Sequence, residues 1–297
     1  MTAAEPVSGR YRGPAVPIGL STASVYPQTA ESAFRYAADM GFDGVELMVW
    51  AEQVSQSARA INTLIERYQV PVQAVHAPCL LITQRVWGDD PVRRLDKAVH
   101  MARRIGATTV VVHPPFRWQR RYARGFAEQV TRLEDTTGIM VAVENMYPMR
   151  ADRFFGRREG SVARLTRRGG GPGVAVSPFW PGIDPTAAGH RHYTLDTSHT
   201  ATAGMDPLAL ADRMGSGLVH VHLADGRGAS VDEHLLPGHG DQPLVELCNR
   251  LADTGYRGQV VLEVNTQEAR TEDERAAMLA ESLAFARTHL RRRTAGR

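Results

Sequence analysis

Residues 109–113, TVVVH, and 140–144, MVAVE, decide how this chain is read. Each is a short Val-rich run that stops on a side chain able to bind a metal. Five more runs do the same: GVEL at Glu46, VQAVH at His76, YTLD at Asp196, LVHVH at His222 and VVLE at Glu263. Apolar runs of this length, followed by turn-prone residues, are expected of strands buried on both faces of a parallel sheet. Strand alternation points Ala142 the same way as Glu144, Val111 as His113, Ala74 as His76 and Val261 as Glu263. The polar ends are therefore in phase, each expected as the last inward residue of its strand. A (β/α)8 barrel keeps its active site at that end.

Helical patterns fill the gaps, at about 29–40, 55–68, 91–105, 121–136, 207–214, 244–254 and 272–290. Pro91 and Pro207 suit first turns, and Gly41, Gly106 and Gly255 suit C-terminal caps. Eight strands alternating with helices predict one closed α/β barrel over 17–290, flanked by an N-terminal extension, 1–16, and a basic tail, 291–297. Two segments exceed an ordinary βα loop: 145–192, which includes RRGGGPG and SPFWPG, and 224–243. Both leave the C-terminal face, the fifth helix being the one element without a clear pattern.

Bulk composition narrows the classes of function. The chain has 297 residues, 43% hydrophobic and 23% charged, as in an ordinary globular protein. No apolar run approaches the roughly 20 residues of a membrane span. The net charge of +3 is built almost wholly from arginine, Lys97 being the only lysine. Such a bias belongs to coding composition, so basicity is weak support for a nucleic-acid partner. Cys79 and Cys248 make no disulfide framework, and Cys79 reads as a small buried hydrophobe. A reduced compartment follows, and with an N-terminus lacking an apolar signal core the expected location is cytoplasmic.

Off the strands, LDTSH spaces Asp196 and His199 as D-x-x-H, and VDEHLLPGHG spaces Asp232 and His234 as D-x-H. A lone strand-end histidine is usually a satisfied pocket residue, and His220 reads as packed core. Several carboxylates buried at one mouth are different, because without a cation their burial is costly. Mixed Glu, Asp and His donors suit Zn, Mn, Co or Mg. FRWQRRY, 116–122, begins at the mouth; Arg117, Arg120 and Arg121 are expected either to bind a phosphate or a nucleic-acid backbone or to form a solvated basic helix start, and Trp118 to stack on a sugar or base. Glu46 and Arg227 are further expected substrate contacts.

Taken together, VHAP, VVHP, VEN, LDTSH, VHLAD, DEHLLPGHG and VVLE resemble the xylose-isomerase-like TIM-barrel superfamily across nearly the whole chain. That resemblance implies one of two sites. Its sugar isomerases and epimerases hold one divalent ion, here by Glu144, Asp196, His222 and Glu263. Its endonuclease IV branch holds three zinc ions, and all nine ligands have counterparts. His76, His113 and bridging Glu144 would hold the first, Glu144, Asp196, His222 and Glu263 the second, and His199, Asp232 and His234 the third. PGHG, HLAD and GFDGVEL look like the isomerase branch, while NMYPMR after Glu144 and HPP after Val112 depart from the nuclease. The expected function is therefore proton transfer in a sugar or sugar phosphate, with Glu144 and Glu263 as acid and base and His199 assisting. DNA is a partner only under the hydrolytic alternative, and no oligomeric state is implied.

Overall fold

The computed structural model of the chain describes residues 16–79, 83, 86–148 and 177–291. The N-terminal extension (all but Val16), the tail (all but Arg291) and much of the 145–192 insertion lie outside the described residues. Eight strands close into a parallel barrel in sequence order. They are β1 (Ile18–Ser21), β2 (Gly44–Met48), β3 (Val72–His76), β4 (Thr109–Val112), β5 (Met140–Glu144), β6 (His192–Asp196), β7 (Leu218–Leu223) and β8 (Gln259–Leu262). Closure is direct: Gly19 of β1 registers with Gly44 of β2 on one side and Val261 of β8 on the other.

Outside the barrel run α1 (Ala30–Met40), α2 (Ala58–Tyr68), α3 (Pro91–Ile105) and α4 (Arg120–Thr137). They are followed by α5 (Thr197–Ala203), α6 (Pro207–Met214), α7 (Leu244–Thr254) and α8 (Glu272–His289). Local chemistry sets their ends. In α3 the Asp90 side chain accepts the Val92 N–H, Pro91 occupies the first turn, and Gly106 ends the helix in the left-handed region at φ 78°. Between those ends Leu95, Ala98, Val99, Ala102 and Ile105 recur at helical spacing and are buried against the barrel.

Strand parity separates two layers. Val110, Val112, Val141, Val143, Val260 and Leu262 join the continuous apolar core between barrel and helices. Ala74, Val111, Ala142 and Val261 are fully buried yet stand apart from it, since they point into the barrel. Burial of each large outer side chain is worth about 1.5–3 kcal/mol. The inner layer instead forms the floor on which the polar strand ends rest.

The second long segment is ordered. Residues 224–243 are pinned by a two-way backbone bridge between Asp225 and Leu235. The Asp225 carboxylate accepts N–H groups of Gly226, Gly238 and Gln242 at 2.9, 2.9 and 3.1 Å. Gly240 must be glycine here, because a Cβ would meet Asp225 Oδ1 at 2.4 Å.

Candidate metal centre

The barrel register brings the strand ends together. His76 Nε2 and His113 Nε2 lie 3.4 and 3.0 Å from Glu144 Oε2. His222 Nδ1 lies 2.9 Å from Glu144 Oε1, 2.8 Å from Glu263 Oε2 and 3.5 Å from Asp196 Oδ2. A third group forms where His199 Nε2 and His234 Nε2 approach Asp232 Oδ2 at 3.2 and 2.8 Å. These side chains are buried or nearly so, Asp232 and His234 being the most open at 17% and 20%.

Small polar residues beside the strand ends hold this geometry. Asn145 clips β5 to β6, its side chain donating to Asp196 O and accepting the Asp196 N–H at 3.0 and 2.7 Å. Asp196 caps α5 by accepting the His199 N–H at 2.8 Å, so D-x-x-H is the first turn of a helix rather than an open loop. His199 is then fixed by its Nδ1 contact with Asn145 O at 2.8 Å. Thr197 Oγ1 donates to His222 O, tying β6 to β7. Ser198 Oγ donates to Asp232 Oδ1 at 2.6 Å and accepts the His234 N–H at 2.9 Å. His234 itself sits in the left-handed region at φ 47°, with Nδ1 against Glu263 O at 2.7 Å. Sequence reasoning passed over Asn145, Thr197, Ser198 and Asp225. The available signal was a small polar residue directly beside a ligand in VEN, DTS and AD.

The electrostatics pair buried carboxylates with buried imidazoles. Burial would push Glu144 up, but His222, His113 and His76 outweigh it and hold its carboxyl well below the ordinary range. Asp232 is likewise held well below it by His234 and His199 against the effect of burial. Burial works against charge on His199, yet Asp196, Asp232 and Glu144 prevail and push its pKa up to about 10. His222 and His234 are raised well above the usual imidazole value by neighbouring carboxylates, again against burial. At His113 burial wins and the pKa is lowered, which favours the neutral ring. Protons on the histidines thus stand where divalent ions would balance the same carboxylates.

The donor set fits such ions. Glu144 Oε2 and Asp196 Oδ2 are buried without a hydrogen-bond partner, although imidazole nitrogens lie close by. Atoms that converge without bonding to one another leave lone pairs for a shared partner. The ligand atoms of His76, His113 and Glu144, of Glu144, Asp196 and His222, and of Asp196, His199 and His234 each lie within 4.8 Å of one another. Mixed nitrogen and oxygen donors of this kind suit Zn, Mn, Co or Mg.

A cavity of about 280 Å³ opens above these groups, walled by Met48, Phe116, Met146, Tyr147 and Phe179. Phe116 and Phe179 stack at 5.1 Å and are joined by an antiparallel backbone bridge, so the β4 loop and the chain before β6 build one wall.

None of the expected substrate contacts lines this cavity among the described residues. The Arg117 guanidinium donates to Ser177 O and Pro181 O, zipping the wall together. Trp118 stacks on Phe116 at 4.4 Å but is 55% exposed, and with Arg121 it borders an outer groove toward α3 and α4. Arg227 donates to His239 O within its own loop. Glu46 is also displaced from its expected place. β2 runs on to Met48, which registers with His76, whereas Glu46 registers with Ala74 one inward step lower. The last inward residue of β2 is therefore Met48, and Glu46 lies beneath the site.

Comparison with known proteins agrees with this architecture. The family model described as xylose isomerase-like TIM barrel matches residues 34–178 and 183–289, and the chain belongs to that family. It is 62% identical over 279 residues to an uncharacterised protein of Mycobacterium tuberculosis, covering 94% of this chain and 99% of the relative. A fructoselysine 3-epimerase of Escherichia coli O157:H7 is 24% identical over 259 residues, covering 80% and 86%. The crystal structure of a D-tagatose 3-epimerase-like protein shares the fold with a TM-score of 0.58 at 21% identity, covering 92% of this chain and 98% of that one. No helix among the described residues is long and apolar enough to cross a membrane.

Proposed function

We propose that the protein is a divalent-metal-dependent isomerase or epimerase of a sugar, sugar phosphate or related hydroxycarbonyl compound. The carrying observation is that Glu144 and Glu263 both abut His222 Nδ1, beside Asp196, under a cavity of about 280 Å³. That volume sits near the lower end of small-ligand pockets and suits one small molecule. The epimerase relative and the epimerase-like fold neighbour support the same class.

Glu144, Asp196, His222 and Glu263 would hold the ion, which when bound supplies Lewis-acid polarisation of a substrate carbonyl. The chain's own groups do the rest. Glu263 is 13% exposed, against 1% for Glu144, and is the carboxylate open to substrate. It would take the proton from the carbon beside the carbonyl. Glu144, against the same ring nitrogen of His222 and also lining the cavity, would return one for inversion after itself taking up a proton from solvent through that cavity. His199, cationic at neutral pH in the metal-free protein, faces the same space and offsets negative charge developing on substrate oxygen. Met48, Phe116 and Phe179 exclude water from the exchange.

A hydrolytic reading, phosphodiester cleavage by a three-zinc centre, draws on one specific feature: the His199, Asp232 and His234 cluster is complete and held by Ser198. One experiment separates the two. Metal-loaded protein is incubated in D2O with a panel of aldoses, ketoses and their phosphates, alongside an abasic-site duplex. Sugar conversion with deuterium at the carbon next to the carbonyl is expected. Chelator-sensitive strand cleavage without sugar turnover would overturn the isomerase reading.

A further inference from the structure

A buried carboxylate lies under the site that the proposed reaction leaves unused. Glu46 is fully buried, and its two oxygens receive His222 Nε2 at 3.0 and 3.1 Å with hydrogen-bond geometry. The other ring nitrogen of the same histidine, Nδ1, faces Glu144, Glu263 and Asp196. His220 flanks Glu46 from a second side, its Nε2 2.8 Å from Oε2 but off the ring N–H direction. The two imidazoles meet edge to face, at 86° and 5.1 Å between ring centres, with the carboxylate between them.

An ionised carboxylate can only accept, and a neutral imidazole carries its proton on one nitrogen, leaving the other as the ligand. We propose that Glu46 is a positioning residue for the metal centre: it takes the Nε2 proton of His222 as a hydrogen bond and so directs the Nδ1 lone pair to the ion. This rests on the metal-dependent reading above. Three features carry it beyond an ordinary buried ion pair. Among the described residues, the contact falls on the one histidine shared by two of the metal-competent clusters, Glu46–His220–His222 and Glu144–Asp196–His222. The register places Glu46 directly below the strand-end ring, level with Ala74 and Ser21. His220 stands against the carboxylate from a second side, with Nε2 2.8 Å from Oε2, and fills the space beside it. A full negative charge behind the ring also makes Nδ1 a stronger donor, a role outer carboxylates play toward metal-bound histidines generally.

The test uses zinc and cadmium alone. In Glu46→Gln, which keeps the shape and loses the charge, the zinc dissociation constant measured against a chromophoric chelator is expected to rise roughly 10–100-fold. Thermal unfolding of the metal-free variant checks that it is folded. Independently, wild-type protein with 15N-labelled histidine is loaded with 113Cd. Cadmium–nitrogen coupling at His222 is expected on Nδ1, with Nε2 still protonated, a signature that a purely structural Glu46 would not dictate. Unchanged zinc affinity in Glu46→Gln, or coupling at Nε2, would overturn the proposal while leaving the metal centre intact. Wild-type protein that takes up neither ion would remove the metal reading itself, and the role of Glu46 with it.

Discussion

Six candidate ligands stand at strand ends and three ride on loops and a short helix, and the two groups reach the same cavity by different means. His76, His113, Glu144, Asp196, His222 and Glu263 are fixed by barrel closure, each strand being held in register by two neighbours. His199, Asp232 and His234 depend on side-chain hydrogen bonds from Asp196, Asn145 and Ser198. The first group is carried by the barrel's own backbone pairing. The second rests on a few contacts worth about 1–3 kcal/mol each, so it is the part that can be dismantled selectively.

The strongest break in this comparison comes from the strand group. Glu263→Gln is expected to lower turnover roughly 10²–10⁴-fold on the substrate found in the sugar panel, with an unchanged circular dichroism spectrum. A loss below tenfold would remove Glu263 from the chemistry. In the loop group, Asp232→Asn should cost a smaller factor, about 10–100-fold in activity, while the strand-borne site keeps its metal. Elemental analysis checks the second half of that statement, and loss of all metal would erase the distinction between the groups. Ser198→Ala should cost about 1.5–3 kcal/mol at most, the range for a hydrogen bond to a charged group, read from denaturant unfolding of the metal-free protein.

The smallest effect is on pH dependence. His199 is raised to about 10 in the folded chain, from an ordinary value of 6.5. A raised value means that folding takes up a proton, so this contribution is complete below pH 6.5 and is lost as pH climbs through about 10. Metal-free protein should therefore lose stability across that window, and His199→Gln should flatten the slope. Only an ion that took His199 as a ligand, as the three-zinc reading requires, would have to expel the same proton, so a rise of affinity with pH over this range would favour that reading over the single-ion site.

What the sequence reveals follows the same division. Barrel and strand-end ligands are legible because a period of two in a doubly buried strand fixes which residues point inward. Depth is less visible. Glu46 is followed by the apolar Leu47, Met48 and Val49, and the pairing of Met48 with His76 shows that β2 continues past it. α5 is hard to see in the sequence because Thr-Ser-His-Thr is a poor helix-forming run and its cap, Asp196, has the chemistry of a ligand as well. Arg117 looked like a phosphate contact until the approach of residues 177–181, distant in sequence, gave its guanidinium backbone carbonyls to hold. No local pattern encodes that meeting.

The floor beneath the ligands has a kinetic consequence. Ala74, Val111, Ala142 and Val261 are fully buried, so among the described residues the floor is closed and traffic runs through the mouth. Whatever ion the site takes must load first, and a bound organic ligand then stands on its way out. Chelators should accordingly strip the ion more slowly as that ligand approaches saturation, and product should compete with substrate for the same doorway.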